Sequence, residues 1–288
     1  MAANTGATFL RLTLGAELVR LREQKGLTGD EAAKAVGCAP STISKIEQGT
    51  TGFRLIGQFI KLLEVYDVDD DGRELLVDWY KNAKGNDWWT TMASEMPSGL
   101  PLFLGFESGA LALSTWSPNV VYGLLQTHDY ARALMESAKA ADERTTAFID
   151  SAVEVRMNRK KRITQDGMEL DCIMDESALR NMVGSPAVMR EQYAEIAELA
   201  QLPNVTVRII PFSAPTYRMT AGYFNVMEFG RDTLPGPVAS MSNASYTTQV
   251  VSKPRAVKQF IRRFDFLARG ALPAHETVAF LDRLAREV

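Results

Sequence analysis

The sequence contains only two histidines and two cysteines among its 288 residues. Zinc sites and nucleophile–base pairs need several such side chains close together, so we predict no His-based metal cluster and no Cys–His dyad. Cys38 and Cys172 stand far apart in the sequence. We interpret them as reduced structural thiols, as is typical of a cytoplasmic protein, rather than as a disulfide.

Long apolar runs and nucleotide-binding motifs are also missing. No stretch approaches the roughly 18 consecutive apolar residues of a membrane span, and the N-terminus lacks the pattern of a secretory signal. There is no GxGxxG motif and no P-loop, GFESG at 105–109 lacks the nucleophile-elbow pattern, and the carboxylates are scattered. We therefore predict a cytoplasmic protein without membrane segments, catalytic residues, metal or cofactor.

What the sequence does contain is a helix-turn-helix pattern at 28–48, TGDEAAKAVGCAPSTISKIEQ. Ala33 is small where two helices would cross, and Gly37 stands where the chain reverses and a positive φ favours glycine. Ile43 and Ile46 recur at helical spacing, which places both on the buried face of a second helix. The polar side chains between them then face outward, where they can enter a DNA major groove.

Flanking patterns complete a helical bundle around this motif. Leu14, Leu18 and Leu21 predict a preceding helix, and Thr28 with Glu31 predicts a capping box at the start of the motif. A fourth helix is predicted from the spacing of Leu55, Phe59, Leu62, Leu63 and Tyr66. A fifth is predicted at 70–84, with an apolar stripe of Leu75, Leu76, Trp79, Tyr80 and Ala83.

The strings LREQKGLT and STISKIEQG resemble the Xre (lambda-repressor-like) DNA-binding family, whose helix order and lengths match residues 10 to 66. In that family the N-terminal half of the third helix reads bases. The resemblance implies this role for Ser41, Thr42 and Lys45, with Ser44 beside them. The hydroxyl side chains are short and discriminate weakly between bases, so we expect most affinity to come from phosphate contacts. The candidates for those contacts are Thr28, Lys34, Thr50, Thr51 and Arg54.

Charge leaves two interpretations of this bundle open. Residues 1–66 carry eight basic and six acidic side chains, and the whole chain is slightly acidic. Such a weakly basic module is expected to bind DNA modestly as a single copy, which favours a homodimer on a two-fold operator. The alternative is a bundle that binds a protein through the same face.

The remainder of the chain predicts a second domain. Glycines, prolines and a loss of periodicity mark a junction at 85–104, but its aromatic residues predict that it docks on the second domain or at a subunit interface. Strand signals occur at 168–174, 205–211 and 223–229, with weaker ones at 237–241 and 246–250. We predict an N-terminal all-α helix-turn-helix bundle at 1–84 and a C-terminal α+β domain at 105–288 with a small, antiparallel sheet.

Three further strings, YGLLQTHDYARALM, IMDESALRNMVGSPAVMREQ and LPNVTVRIIPFS, extend the resemblance to the whole chain. They look like motifs of a large actinobacterial group with a PGLLQT signature, which includes WhiJ-like developmental regulators. Tyr122 stands where that group usually has proline. The resemblance implies an Xre-type head joined to a C-terminal domain of unknown function. It also implies transcriptional control, often with a small acidic partner protein encoded nearby, and sometimes an antitoxin-like role.

The C-terminal domain offers two places for contact with a partner or ligand. One is the densest basic run, with Arg156, Arg159, Lys160 and Arg162, which is also explained by a solvated helix face. The other is Gln126 in the LLQT string, which is as easily core plus a helix N-cap. We predict a sequence-specific regulator that binds a double-stranded DNA operator and senses a partner or ligand through this domain. The alternative is an antitoxin-like adaptor that sequesters a small partner protein and autoregulates its own operon.

Overall fold

The computed structural model describes residues 6–53, 55–214, 222–230, 236–242 and 247–288. The chain divides into two compact units. The first comprises Met1–Thr90, Leu102–Gly109 and Phe229–Gly236, and the second comprises Thr91–Pro101, Ala110–Glu228 and Pro237–Val288. The domain boundaries predicted at 84 and 105 stay a prediction, since compact units are defined by contacts and not by independent folding.

The first unit begins with five helices around one apolar core. They are α1 (Ala7–Gln24), α2 (Gly29–Val36), α3 (Pro40–Glu47), α4 (Ile56–Val65) and α5 (Asp70–Asn82). Leu18, Phe59 and Leu63 are wholly buried in this core, as their spacing predicts. Leu55 and Leu75 do not belong to it, because they are 63% and 49% exposed. Leu55 is the N-cap residue of α4, and on α5 the neighbouring Leu76 takes the buried position.

Later parts of the chain complete this unit. The helix α6 (Leu100–Gly109) carries Phe106, whose ring lies 6.1 Å from that of Phe229, and Phe229 in turn lies 5.0 Å from Phe9 of α1. Trp89, Phe103 and Phe106 are buried and belong to the first unit. That the aromatic junction docks on the second domain or at a subunit interface stays a prediction. Two other apolar residues of that segment, Trp88 and Leu102, are 44% and 40% exposed. The core of the first unit therefore draws on residues more than two hundred positions apart in the sequence.

The second unit is built on a six-stranded sheet with the order β3-β2-β1-β4-β5-β6 among the described residues. The strands are β1 (Ala112–Ser117), β2 (Glu169–Asp175), β3 (Val205–Ile210), β4 (Phe224–Glu228), β5 (Val238–Ser242) and β6 (Thr248–Val251). The helices are α7 (His128–Ser137), α8 (Thr146–Thr164), α9 (Glu176–Arg180), α10 (Pro186–Leu199), α11 (Pro254–Gly270) and α12 (Thr277–Glu287). Phe260, Phe264 and Leu267 of α11 pack with Trp116 and Phe224 of the sheet.

The prediction of a small antiparallel sheet is wrong, because the sheet is mixed. β1 pairs parallel with β2 and β2 parallel with β3, whereas β4, β5 and β6 continue the sheet in antiparallel pairs. Parallel neighbours need a long crossover connection, and α7 with α8, then α9 with α10, supply the two crossovers. The strand β1 was not among the predicted strands, so the parallel pairing of β1 with β2 was not predicted. None of the described helices combines the length and apolar character that crossing a membrane requires.

Candidate nucleic-acid interface

The exposed face of α3 carries the residues predicted to read bases. Ile43 and Ile46 are 1% and 4% exposed and point into the core, which confirms the predicted helical phase. Ser41, Ser44 and Lys45 are exposed on the other side of the helix, and Thr42 is partly buried. Pro40 occupies the first turn, where the missing backbone N–H costs no hydrogen bond. This short helix therefore presents two hydroxyls and one ammonium group to solvent.

The helix before it is capped as the sequence predicts. Thr28 Oγ1 accepts a hydrogen bond from the backbone N–H of Glu31 at 3.2 Å, and the Glu31 carboxylate accepts one from the backbone N–H of Thr28 at 2.8 Å. The hydrogen bond that the Glu31 carboxylate accepts from the Thr28 backbone lowers the pKa of Glu31, and a second one that it accepts from the Thr28 hydroxyl acts in the same direction. At the other end of α2, Gly37 has φ +74°, so the predicted left-handed turn between α2 and α3 is confirmed.

The C-terminal end of α3 is fixed by α1. A Cβ on Gly15 of α1 would lie 2.4 Å from the carbonyl oxygen of Glu47, so the two helices approach closely there. The Glu47 carboxylate accepts hydrogen bonds from Arg22 Nε at 2.6 Å and Arg22 Nη2 at 3.1 Å. This bidentate pair raises the pKa of Arg22, chiefly through the hydrogen bonds, and Arg22 Nη1 also donates to Leu27 O at 2.9 Å.

Sequence reasoning did not identify Gly15, Arg22 and Glu47 as residues that position the interface. Arg22 and Glu47 both stand in the strings that carry the Xre resemblance, but they are 25 residues apart and on different helices. Helical periodicity reports which face of a helix is buried, and gives no signal for a polar contact between two helices. Gly15 lies inside a helix and not in a turn, so the sequence gives no sign that close packing requires a glycine there.

The predicted phosphate contacts differ in how their polar groups are used. Thr28 has its hydroxyl committed to the capping box, since Oγ1 also donates to the Glu31 carboxylate at 2.8 Å. Thr50 and Thr51 are exposed, and their hydroxyls donate to Lys45 O and Gly52 O at 2.9 and 3.0 Å. Lys34 is exposed and makes no ion pair with any residue that the structure describes. Arg54, the fifth candidate, lies outside the described residues.

The C-terminal candidates do not form one contact surface. Lys160 forms an ion pair with Glu195 at 2.5 Å, and Arg162 binds Asp166 at 2.9 Å while donating to Ala110 O at 2.7 Å. The charged groups of Lys160 and Arg162 are therefore used in contacts within the second unit.

The three other C-terminal candidates lie in and around one turn. Gln126 is buried and donates from Nε2 to Val121 O at 2.7 Å. Arg156 and Arg159 lie on one face of α8, which packs on the turn Gly123–Leu125 that precedes Gln126.

Comparison with protein families gives two matches. Residues 13–76 match a helix-turn-helix domain, and residues 100–283 match a domain of unknown function (DUF5753). The first match contains α2, α3 and the turn between them, and the second covers more than half of the chain. No curated protein and no solved structure matches the chain.

Proposed function

The chain belongs to the DUF5753 family and carries a helix-turn-helix domain, and on this basis we propose that it is a sequence-specific transcriptional regulator that binds a DNA operator. The observation that carries the proposal is the outward face of α3. Ile43 and Ile46 hold the helix, while Ser41, Ser44 and Lys45 stand exposed between and beside them. Short hydroxyl side chains allow a close approach to the base edges, and Lys45 can bind guanine or a phosphate.

Two copies of the chain are proposed to act together. The bundle carries only a small excess of positive charge, and short hydroxyls discriminate weakly, so one copy is expected to bind DNA modestly. A homodimer sets two α3 helices about 34 Å apart, in successive major grooves of a two-fold operator. Joining the two heads can raise the apparent affinity by about 10²–10⁴ without any new DNA contact.

The second unit is proposed to sense a signal in the cytoplasm. A ligand or a small acidic partner protein would bind it and change operator affinity, which requires a different affinity for the two DNA-binding states. The resemblance to the Xre family and to WhiJ-like actinobacterial regulators supports this role. We assign no catalytic step and no cofactor to the chain.

The test of DNA recognition uses Lys45→Ala with Lys81→Ala as its control. Both substitutions remove one exposed ammonium group, but Lys81 lies on α5, outside the helix-turn-helix formed by α2 and α3. An operator is first selected from random double-stranded DNA with the full-length protein. We expect Lys45→Ala to weaken operator binding by about 1–3 kcal/mol if Lys45 reads a base, or to lower the salt slope by about one if it holds a phosphate. Binding equal to that of Lys81→Ala in both respects would remove Lys45 from the interface.

The test of the dimer is analytical ultracentrifugation of the full-length protein, followed by titration onto palindromic and half-site DNA. We expect a dimer in solution and much tighter binding to the palindrome. A monomer that binds both DNAs equally would refute the two-fold arrangement and leave DNA recognition to a single head. Failure to enrich any sequence in the selection would contradict the proposed function as a whole.

A further inference from the structure

Arg156 is a partly buried cation in the middle of α8. Its Nη1 donates to Ala152 O, one turn earlier, at 3.3 Å, and it makes no ion pair among the residues that the structure describes. Burial lowers the pKa of Arg156 to about 10, and the nearby positive charges of Arg159 and Arg144 act in the same direction, whereas Tyr223 opposes them. The folded protein therefore holds a guanidinium group where its charge is poorly compensated.

The surroundings of Arg156 are basic and polar. Arg159 lies on the same face one turn later, and its Nη1 is 3.4 Å from the position that a Cβ on Gly123 would take. The guanidinium of Arg159 thus lies against the turn Gly123–Leu125. Tyr223 is also near Arg156, and its ring lies 6.3 Å from that of Tyr122 while its hydroxyl is hydrogen-bonded to Asn225.

Gln126 adds an unsatisfied acceptor next to this turn. The side chain is 2% exposed, and Nε2 donates to Val121 O at 2.7 Å. Its Oε1 is buried and has no hydrogen-bond partner among the described residues. Exchanging the two ends of the amide would set oxygen against the Val121 carbonyl oxygen, so the orientation is fixed by this contact. A buried acceptor of this kind is normally satisfied by a donor.

We propose that Arg156, together with Arg159 and the residues 122–126, binds a small organic ligand that bears a carboxylate or phosphate group. The planar fork of arginine matches both oxyanions. Because Arg156 is partly buried, a small molecule reaches it more easily than the surface of a protein or a DNA backbone does. A hydroxyl or amino group on the same ligand would satisfy Gln126. The inference rests on the proposed function only in that it gives the sensing role a ligand class.

The test measures anion binding to the full-length protein without DNA. Thermal unfolding and titration calorimetry are recorded with inorganic phosphate and with acetate, each against chloride at equal ionic strength. The variant is Arg156→Met, and the control is Lys161→Met, which removes an exposed charge from the same helix. We expect at least one of the two anions to stabilise the wild type and the control, and to bind Arg156→Met at least tenfold more weakly. The preferred anion distinguishes a phosphate ligand from a carboxylate ligand.

Two further measurements distinguish a ligand-binding role of Arg156 from a purely structural one. Without anion, Arg156→Met should unfold at the same or a higher temperature than the wild type, because the uncompensated charge is gone. Arg156→Lys keeps the charge but loses the fork, so it should fold and bind the anion several-fold more weakly. The inference is overturned if neither anion stabilises the wild type more than Arg156→Met, or if Arg156→Lys binds as tightly as the wild type.

The calorimetry tests anion binding at Arg156 even if the chain binds no operator. If an operator is found, its affinity is then measured with and without the anion that binds best. A change of tenfold or more that is absent in Arg156→Met supports the sensing role. Anion binding with unchanged operator affinity would keep the site and overturn its link to DNA binding.

Discussion

The ion pair between Arg22 and Glu47 is expected to set the stability and the DNA affinity of the helix-turn-helix. The perturbation is Glu47→Gln, which keeps the shape of the side chain and removes its charge. The matched control is Glu17→Gln, because Glu17 pairs with Arg20 on the same helix at 2.5 Å, but Arg20 is 52% exposed. The two pairs therefore share the carboxylate–guanidinium chemistry and differ in exposure and in what they connect.

The magnitude follows from burial. Exposed ion pairs contribute about 0–1 kcal/mol, and removing one partner of a fully buried pair costs about 3–5 kcal/mol. The side chains of Arg22 and Glu47 are 16% and 13% exposed and share two hydrogen bonds, so they lie nearer to the buried case. We expect Glu47→Gln to lower the free energy of unfolding by about 2–3 kcal/mol, and Glu17→Gln by less than about 1 kcal/mol.

The assay is urea unfolding of the full-length protein, with operator affinity measured on the same samples at a temperature where every variant is folded. A double-mutant cycle adds Arg22→Met, alone and combined with Glu47→Gln. The coupling energy should be about 2 kcal/mol, within the range for residues in direct contact. If Glu47→Gln costs no more than Glu17→Gln, or if the two substitutions are additive, the pair does not fix α3 and the reasoning is refuted.

Three other predictions concern the same unit. Ile43→Asp should unfold it at a cost of about 4 kcal/mol or more, because it buries an unpaired charge, and circular dichroism should show a lower-temperature transition with loss of operator binding. A folded, DNA-competent variant would mean that the helical phase is wrong. Gly15→Ala should cost about 1–3 kcal/mol by forcing α1 away from α3, whereas Gly57→Ala, with open space at its Cβ position, should be neutral or stabilising in the same urea titration. Glu31 has its folded pKa below 4.5, so its capping contribution is present above that pH and is lost as the pH falls through the folded pKa. The difference in unfolding free energy between the wild type and Glu31→Gln should therefore shrink on acidification, and a difference that stays constant to pH 2 would contradict the capping role.

Local patterns predicted the DNA-binding motif well because its determinants are local. The capping box of Thr28 and Glu31, the turn at Gly37 and the buried pair Ile43 and Ile46 each depend on residues within a few positions of one another. Helical spacing failed at Leu55, because the backbone there is extended and the residue caps a helix instead of extending its apolar face.

The sheet was predicted less well because its topology depends on pairing between distant segments. The string ALSTWS of β1 is short, and Ser and Thr dilute its apolar alternation, so it gives a weak strand signal. The absence of β1 from the predicted strands explains only the missed parallel pair of β1 with β2. Both strands of the parallel pair β2 and β3 were predicted, and the helices between them are the crossover that indicates parallel pairing. The ion pair of Lys160 with Glu195 is another case, since α8 and α10 are separated in sequence by β2 and α9. Some cations of a basic run that suggests a contact surface are thus already paired with other residues inside the folded domain.

The central position of β1 has a consequence for how the protein is made. Thr115 of β1 donates to Phe224 O of β4, which lies 109 residues further along the chain. At about 5–20 residues per second, a ribosome needs roughly 5–20 s to synthesise the partner strand, and throughout that time β1 has one edge without its strand. Phe229, which contacts Phe9 at the other end of the sequence, is translated directly after β4. The N-terminal head therefore receives its last aromatic contact late in translation, and slow codons or a chaperone acting before residue 229 should affect the yield of the whole protein.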